Sequence, residues 1–285
     1  MNNRIISALV LVGMIASTSA FASRARNLVM GQGGAEFVSG RGSFYYDDAY
    51  NFFYNPAYIN DYKNWVIIEK DAQNQASAGF VTSMMNFNMG VFFNRENAAA
   101  NPQADHALDL FFGGDAGVKW GVNLMYAGKS AAASNTGYST ANELDARVGL
   151  AMNGFDPYIS YRMLGKSKIS NTEVAKYKGM GAGLRYHYGE WTPYVAYNYN
   201  KREVGTEVKN DTYVVGLGRE TKIAEGTRLV YALYYSHAKS ENKATGAAST
   251  GSAFPVQMAI EGDPLSWLTL RAGVNHTLIT STSAA

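Results

Sequence analysis

Leu144-Asp145-Ala146-Arg147-Val148-Gly149-Leu150-Ala151-Met152-Asn153-Gly154-Phe155-Asp156-Pro157-Tyr158-Ile159-Ser160-Tyr161-Arg162-Met163 is the stretch that decides the fold. On its first limb every second residue (Leu144, Ala146, Val148, Leu150, Met152) is apolar, and the residues between are charged or small. Asn153-Gly154 then tolerates the positive φ of a two-residue hairpin turn. The second limb repeats the pattern, with Phe155, Pro157, Ile159, Tyr161 and Met163 set against Asp156, Tyr158, Ser160 and Arg162. A strand sends alternate side chains to opposite faces, so both limbs have one apolar and one polar face.

The same period recurs outward in both directions. Examples are Met180-Ala182-Leu184-Tyr186-Tyr188, Leu229-Tyr231-Leu233-Tyr235, Phe254-Val256-Met258-Ile260 and Leu268-Leu270-Ala272-Val274. Several runs reach about 9–11 residues, the length of a tilted membrane-crossing strand. Connections alternate in length. Gly113-Gly114-Asp115, Asn153-Gly154, Gly189-Glu190, Ala224–Gly226 and Gly262-Asp263-Pro264 are short. Asn94–Asp105, Gly128–Asn142, Leu164–Lys176, Asn200–Asp211 and Ala238–Gly251 read as long polar loops. Short periplasmic turns and long external loops belong to outer-membrane barrels. The fold class predicted is all-β: a transmembrane antiparallel up-and-down β-barrel of about 14 or more strands, with a soluble secreted β-protein as the alternative.

Thirteen strands can be counted, beginning near Trp65, Ala76, Met85, His106, Gly117, Asn142, Phe155, Tyr177, Trp191, Thr212, Thr227, Ser252 and Leu265. Bacterial single-chain barrels have even numbers. Thr277–Ala285 reads as the start of a polar loop and carries no aromatic residue. The expectation is therefore that a barrel domain at 65–285 lacks one or more C-terminal strands, unless Glu36–Ser39 supplies a further one.

Composition fits this picture. The 285 residues are 47% hydrophobic and 17% charged, with 29 Gly, 20 Tyr, 6 Pro and no Cys. A mean hydropathy of −0.19 is what strands with one apolar and one polar face average to. A net charge of +2 gives no basic excess for nucleic acid. The lack of Cys excludes disulfides, thiolate metal sites and cysteine nucleophiles. Arg4, the apolar run Ile5–Ala16 and Ala20-Phe21-Ala22 form a cleavable signal peptide over residues 1–22. The location predicted is the cell outer membrane.

Residues 23–64 are less regular and form the candidate plug. Asp48-Ala49-Tyr50-Asn51-Phe52-Phe53-Tyr54-Asn55-Pro56-Ala57 resembles the signature near the start of fatty-acid-transporter-like outer-membrane barrels, although Tyr58-Ile59 replaces the usual Gly-Leu. That resemblance implies an N-terminal hatch inside a fourteen-stranded barrel, with Asp47, Asp48, Asn55, Pro56 and Ala57 as hatch residues. Arg26–Gly31 together with Tyr46–Tyr62 resembles porin-like major outer-membrane proteins of predatory Gram-negative bacteria. This second likeness covers about the first fifth of the chain after the signal peptide.

By the alternation, Arg147, Arg162, Arg185, Arg228 and Arg271 point inward with Asp145, Asp156 and Glu261 as counter-charges. An inward positive ring attracts anions. Trp65, Trp191, Trp267, Tyr186, Tyr188 and Tyr199 fall at strand ends as aromatic girdle candidates. The four histidines have no metal-ligand spacing, and neither a nucleophile elbow nor a phosphate loop is present. His276 is the one residue placed where an interfacial hydrolase would need it. No enzyme activity, metal or cofactor is expected. The function expected is a porin-like channel for passive diffusion of small hydrophilic solutes with weak anion preference. The alternatives are uptake of hydrophobic substrates, as in fatty-acid-transporter-like barrels, or a structural or surface-interaction barrel. The partners expected are membrane lipid and lipopolysaccharide, small solutes, the outer-membrane assembly machinery and further copies of the chain, with no nucleic acid.

Overall fold

The computed structural model describes residues 24–31, 42–70, 76–95, 107–130, 140–169 and 171–284. The expected signal peptide at 1–22 and the candidate strand Glu36–Ser39 lie outside the described residues. The fold is all-β: among the described residues, thirteen antiparallel up-and-down strands form one sheet, each bonded to its neighbours in sequence. They are β1 Trp65–Lys70, β2 Ala76–Met84, β3 Phe87–Arg95, β4 Ala107–Asp115, β5 Lys119–Ser130, β6 Thr140–Ala151, β7 Phe155–Ile169, β8 Thr172–Tyr186, β9 Trp191–Glu203, β10 Val208–Ala224, β11 Thr227–Asn242, β12 Ala248–Leu265 and β13 Leu268–Ala284. The Asn153-Gly154 turn has the anticipated positive φ values of 49° and 82°. Among the described residues, no helix is long and apolar enough to cross a membrane.

The loop expectations change. The stretch Leu164–Lys176 is not a loop, because β7 and β8 continue to Ile169 and from Thr172. Likewise β9 to β12 run into the stretches read as loops. Their Lys, Glu, Ser and Thr side chains keep pairing across strands (Asn210↔Ser240, Lys239↔Thr250), which a hydrated ladder permits. Thr277–Ala285 is not a loop either; β13 pairs along β12 as far as Ala284. As the odd strand count led one to expect, the sheet is not closed. β1 and β13 run in the same direction and are not bonded to each other.

Alternation sets the two faces. In β8, Ala175, Tyr177, Gly179, Gly181 and Arg185 point inward, while Lys178, Met180 and Ala182 point outward and are exposed. Outward side chains such as Ile159, Val195, Val215 and Leu233 form an exposed apolar band. The core lies on the inward face, where the N-terminal segment packs. That segment comprises helix α1 (Arg24–Met30), the single turn α2 (Asn51–Tyr54) and the 3₁₀ helix η1 (Pro56–Asp61). Because η1 touches β3 to β6 while α1 touches β12 and β13, the sheet wraps around the segment.

Candidate functional site

Asn55 and Pro56 start η1 for local reasons. Pro56 supplies the helical φ at the first position, and the Asn55 side chain accepts from the Ala57 N–H at 3.0 Å. The same Asn55 amide donates to the Leu150 carbonyl at 2.8 Å and reaches the Pro157 carbonyl at 3.3 Å. One side chain therefore caps the turn and ties it to the β6–β7 hairpin. Asn60 repeats the device, donating to Ala57 and to the Trp120 carbonyl at 3.0 Å.

Two aromatic clusters seat the hatch. Phe52, Phe53 and Ile59 pack on Val81, Phe92 and Phe111, with Phe52 ring centroids 4.9 Å from Phe92 and 5.2 Å from Phe111. Phe44, Tyr45, Tyr46 and Tyr54 pack on Tyr158, Tyr194 and Tyr234, and Phe44 stacks on Tyr194 at 4.6 Å. Phe44, Phe52 and Ile59 are fully buried, each contributing about 1.5–3 kcal/mol. Glycines let the backbones meet. A Cβ on Gly121 would overlap the Pro56 carbonyl, and one on Gly218 would lie 2.9 Å from the Tyr45 Cα. Part of the glycine excess is thus the floor of the hatch.

Ion pairs complete the seat. Arg185, wholly buried on β8, lies 3.1 Å from both Asp156 and Asp47 and donates to the Ser43 carbonyl at 3.3 Å. Tyr58 donates to Asp156, and His187 sits 2.8 Å from the same carboxylate. Burial lifts the Tyr58 phenol well above its usual pKa, with Arg185 pulling the other way, so Tyr58 stays a donor. Arg147 donates to the Phe53 and Tyr54 carbonyls at 3.0 and 2.7 Å, closing the end of α2. Arg162 pairs with Glu143 and with Asp145, the latter at 2.9 Å. Glu261 gathers Arg228, Arg271 and, at 2.8 Å, Arg26 of α1; Arg26 also meets Asp48 at 2.6 Å.

All five arginines expected inward are there, with Asp145, Asp156 and Glu261 beside them. They form no free ring: four of the five meet carboxylates, and Arg147 meets backbone carbonyls. Asp48, Asn55, Pro56 and Ala57 are buried in the seat, while Asp47 remains largely exposed. Trp191, Tyr186, Tyr188 and Tyr199 lie on the outward face, while Trp267 sits 78% exposed in the β12–β13 turn. Trp65 is a correction. It turns inward, its ring 5.8 Å from Phe52, while its neighbour Val66 takes the outward position. A tryptophan at a strand end serves either face equally, and the hatch supplied apolar partners.

Arg26, Tyr58 and Gln257, whose Oε1 accepts from the Tyr45 hydroxyl at 2.5 Å, were missed as hatch contacts. Arg26 and Glu261 are 235 positions apart, and no spacing signals such a pair. His276 stands opposite Val256 on β12. A serine–histidine contact does exist on the outward face, His237 Nδ1 to Ser252 Oγ at 2.8 Å. The cross-strand neighbours of His237 are Tyr213 and Ser252, so no carboxylate stands directly opposite it. Among the described residues no cluster of His, Asp and Glu is arranged to hold a metal.

No protein-family model matches the chain, and no curated protein does. Among solved structures it is similar to the loop L8 deletion mutant of OmpT, an outer membrane protein of Vibrio cholerae. The identity is 12%, the TM-score 0.47, and the match covers 77% of this chain and 92% of that one.

Proposed function

We propose that this chain is an outer-membrane channel for small hydrophilic solutes whose lumen is narrowed by an N-terminal hatch. The observation that carries the reading is the hatch seat: residues 42–64 cover the apolar part of the inward face with their own rings. Toward the long-loop end the inward face carries Asp109, Glu143, Asp145 and Arg162 beside a small apolar cluster of Ala107, Met125, Ala127 and Ala141. Apolar wall already covered by Phe44 and Phe52 offers nothing to a hydrophobic substrate, which favours hydrophilic passage over fatty-acid-like uptake. The leader at 1–22 and the outward apolar band support export to the outer membrane. Since four arginines are neutralised by contact, any anion preference rests on Arg147. The role is passive, without catalysis.

Planar-bilayer recordings of the full-length chain test this. The wild type should show small conductance steps. Arg26→Ala plus Arg147→Ala, which removes anchors at both ends of the hatch, should give larger ones. Silence in both, with folding verified by heat-modifiable migration, would leave a structural barrel instead.

A further inference from the structure

The outward face carries a second feature, at the long-loop end of β7 to β11. Tyr197 and Tyr213 face each other across β9 and β10, with Tyr199 one outward position further along. Two residues beyond Tyr199, about 7 Å along the strand, the register sets Lys178, Lys201 and Lys209 directly opposite one another on β8, β9 and β10. On the neighbouring pair of strands Lys166 stands opposite Lys176. Like charges directly opposite destabilise a sheet, and here they occur on three strand pairs side by side.

The carboxylates at hand do not cancel them. Lys166 lies 3.3 Å from Glu173; Lys178 and Lys201 share Glu203 at 2.8 and 3.0 Å; Lys201 and Lys209 share Glu207 at 3.0 and 3.7 Å. Four lysines thus divide three glutamates, and Glu241, opposite Lys209, is already paired with Lys243. Lys176 adds a charge on the same face, and Lys239 faces Asp211, which already accepts from the Tyr197 hydroxyl at 2.6 Å. The side chains of Lys166 and Lys178 are 41% and 48% exposed, open to an approaching anion.

Position identifies that anion. Tyrosines at the edge of an apolar band mark the headgroup level of a bilayer, and the lysine row begins just outside them. Phosphates of anionic lipid headgroups lie at that depth. We infer that the Lys178–Lys201–Lys209 row, with Lys166 and Lys176, binds the phosphates of anionic lipids in the surrounding leaflet. The inference rests on the membrane reading of the outward face. A phosphate between two lysines of a row turns their repulsion into two charge-assisted contacts, and surface lysines act on anionic lipid with short range and salt sensitivity.

Native mass spectrometry of the full chain, released from nanodiscs, tests it with dioleoylphosphatidylglycerol and dioleoylphosphatidylcholine as probes. The wild type should retain phosphatidylglycerol in preference. Lys178→Gln, Lys201→Gln and Lys209→Gln together should weaken that retention about tenfold, while the turn-end Lys222→Gln should not. Displacement of the lipid by millimolar inorganic phosphate would show a site for free anion and overturn the lipid assignment. Equal retention of both lipids by the wild type, or unchanged retention in the triple variant, would also overturn it. Failure of the wild type to insert into phosphatidylcholine bilayers would overturn the membrane reading itself.

Discussion

Gly121→Ala tests whether the hatch is pressed on the wall as closely as the geometry requires. The added methyl overlaps the Pro56 carbonyl and lies 2.6 Å from the Ala57 nitrogen, and both neighbours are backbone of η1. Side chains can rotate aside, but backbone cannot, so the turn must lift by about 1 Å to restore ordinary contact, an overpacking cost of about 1–3 kcal/mol. Lifting also stretches the Asn60 bond to Trp120 and the Asn55 bond to Leu150, each worth about 1 kcal/mol. A total of at least about 3 kcal/mol shifts the seated-to-unseated ratio roughly 150-fold or more. Tryptic cleavage within residues 24–63 of the folded protein reports that ratio when opening and closing outpace cleavage. Gly251→Ala on β12, whose added methyl would touch nothing within 4 Å, is the matched control. Cleavage of the Gly121 variant within twofold of the control would refute the close seating.

Two further changes probe the electrostatics. Arg185→Met removes the partner of buried Asp156 and should cost about 3–5 kcal/mol. Adding Asp156→Asn should recover part of that, because the orphaned charge goes too. Urea titrations of protein folded into lipid vesicles measure both, and strict additivity would show that the pair does not interact. In the β8–β9 turn, the Thr221 hydroxyl at 2.7 Å and Arg219 at 2.6 Å hold the Glu190 carboxyl below its ordinary value of 4.5. A lowered carboxylate contributes stability above its ordinary pKa and loses it as pH falls through the folded value. The wild type should therefore lose more stability than Glu190→Gln between about pH 5 and about pH 3. Equal losses in acid melts would show that Glu190 contributes nothing there.

Legibility in the sequence followed the range of the interactions. Period-two alternation is local, so Leu144–Met163 displays its strands, its turn and the inward direction of Arg147 and Arg162 without a partner in view. Strand ends were less readable. Hydrated ladders beyond the apolar band, such as Lys166↔Lys176, look like loops when only lipid-facing length is considered. Asn55-Pro56 stood out through the family resemblance, but its bonds to Leu150 and Pro157 were not legible.

The sequence by itself determined that this is a meander of alternating strands preceded by an irregular aromatic segment, because face preference is written every second residue. Only the tertiary structure decided what the inward charges do. Arg26 meets Glu261 across 235 positions, Arg185 meets Asp47 across 138, and Trp65 turns in because Phe52 is there. Alternation gives a side chain its direction, but whether an inward arginine lines water or grips a hatch depends on which distant segment folds against it.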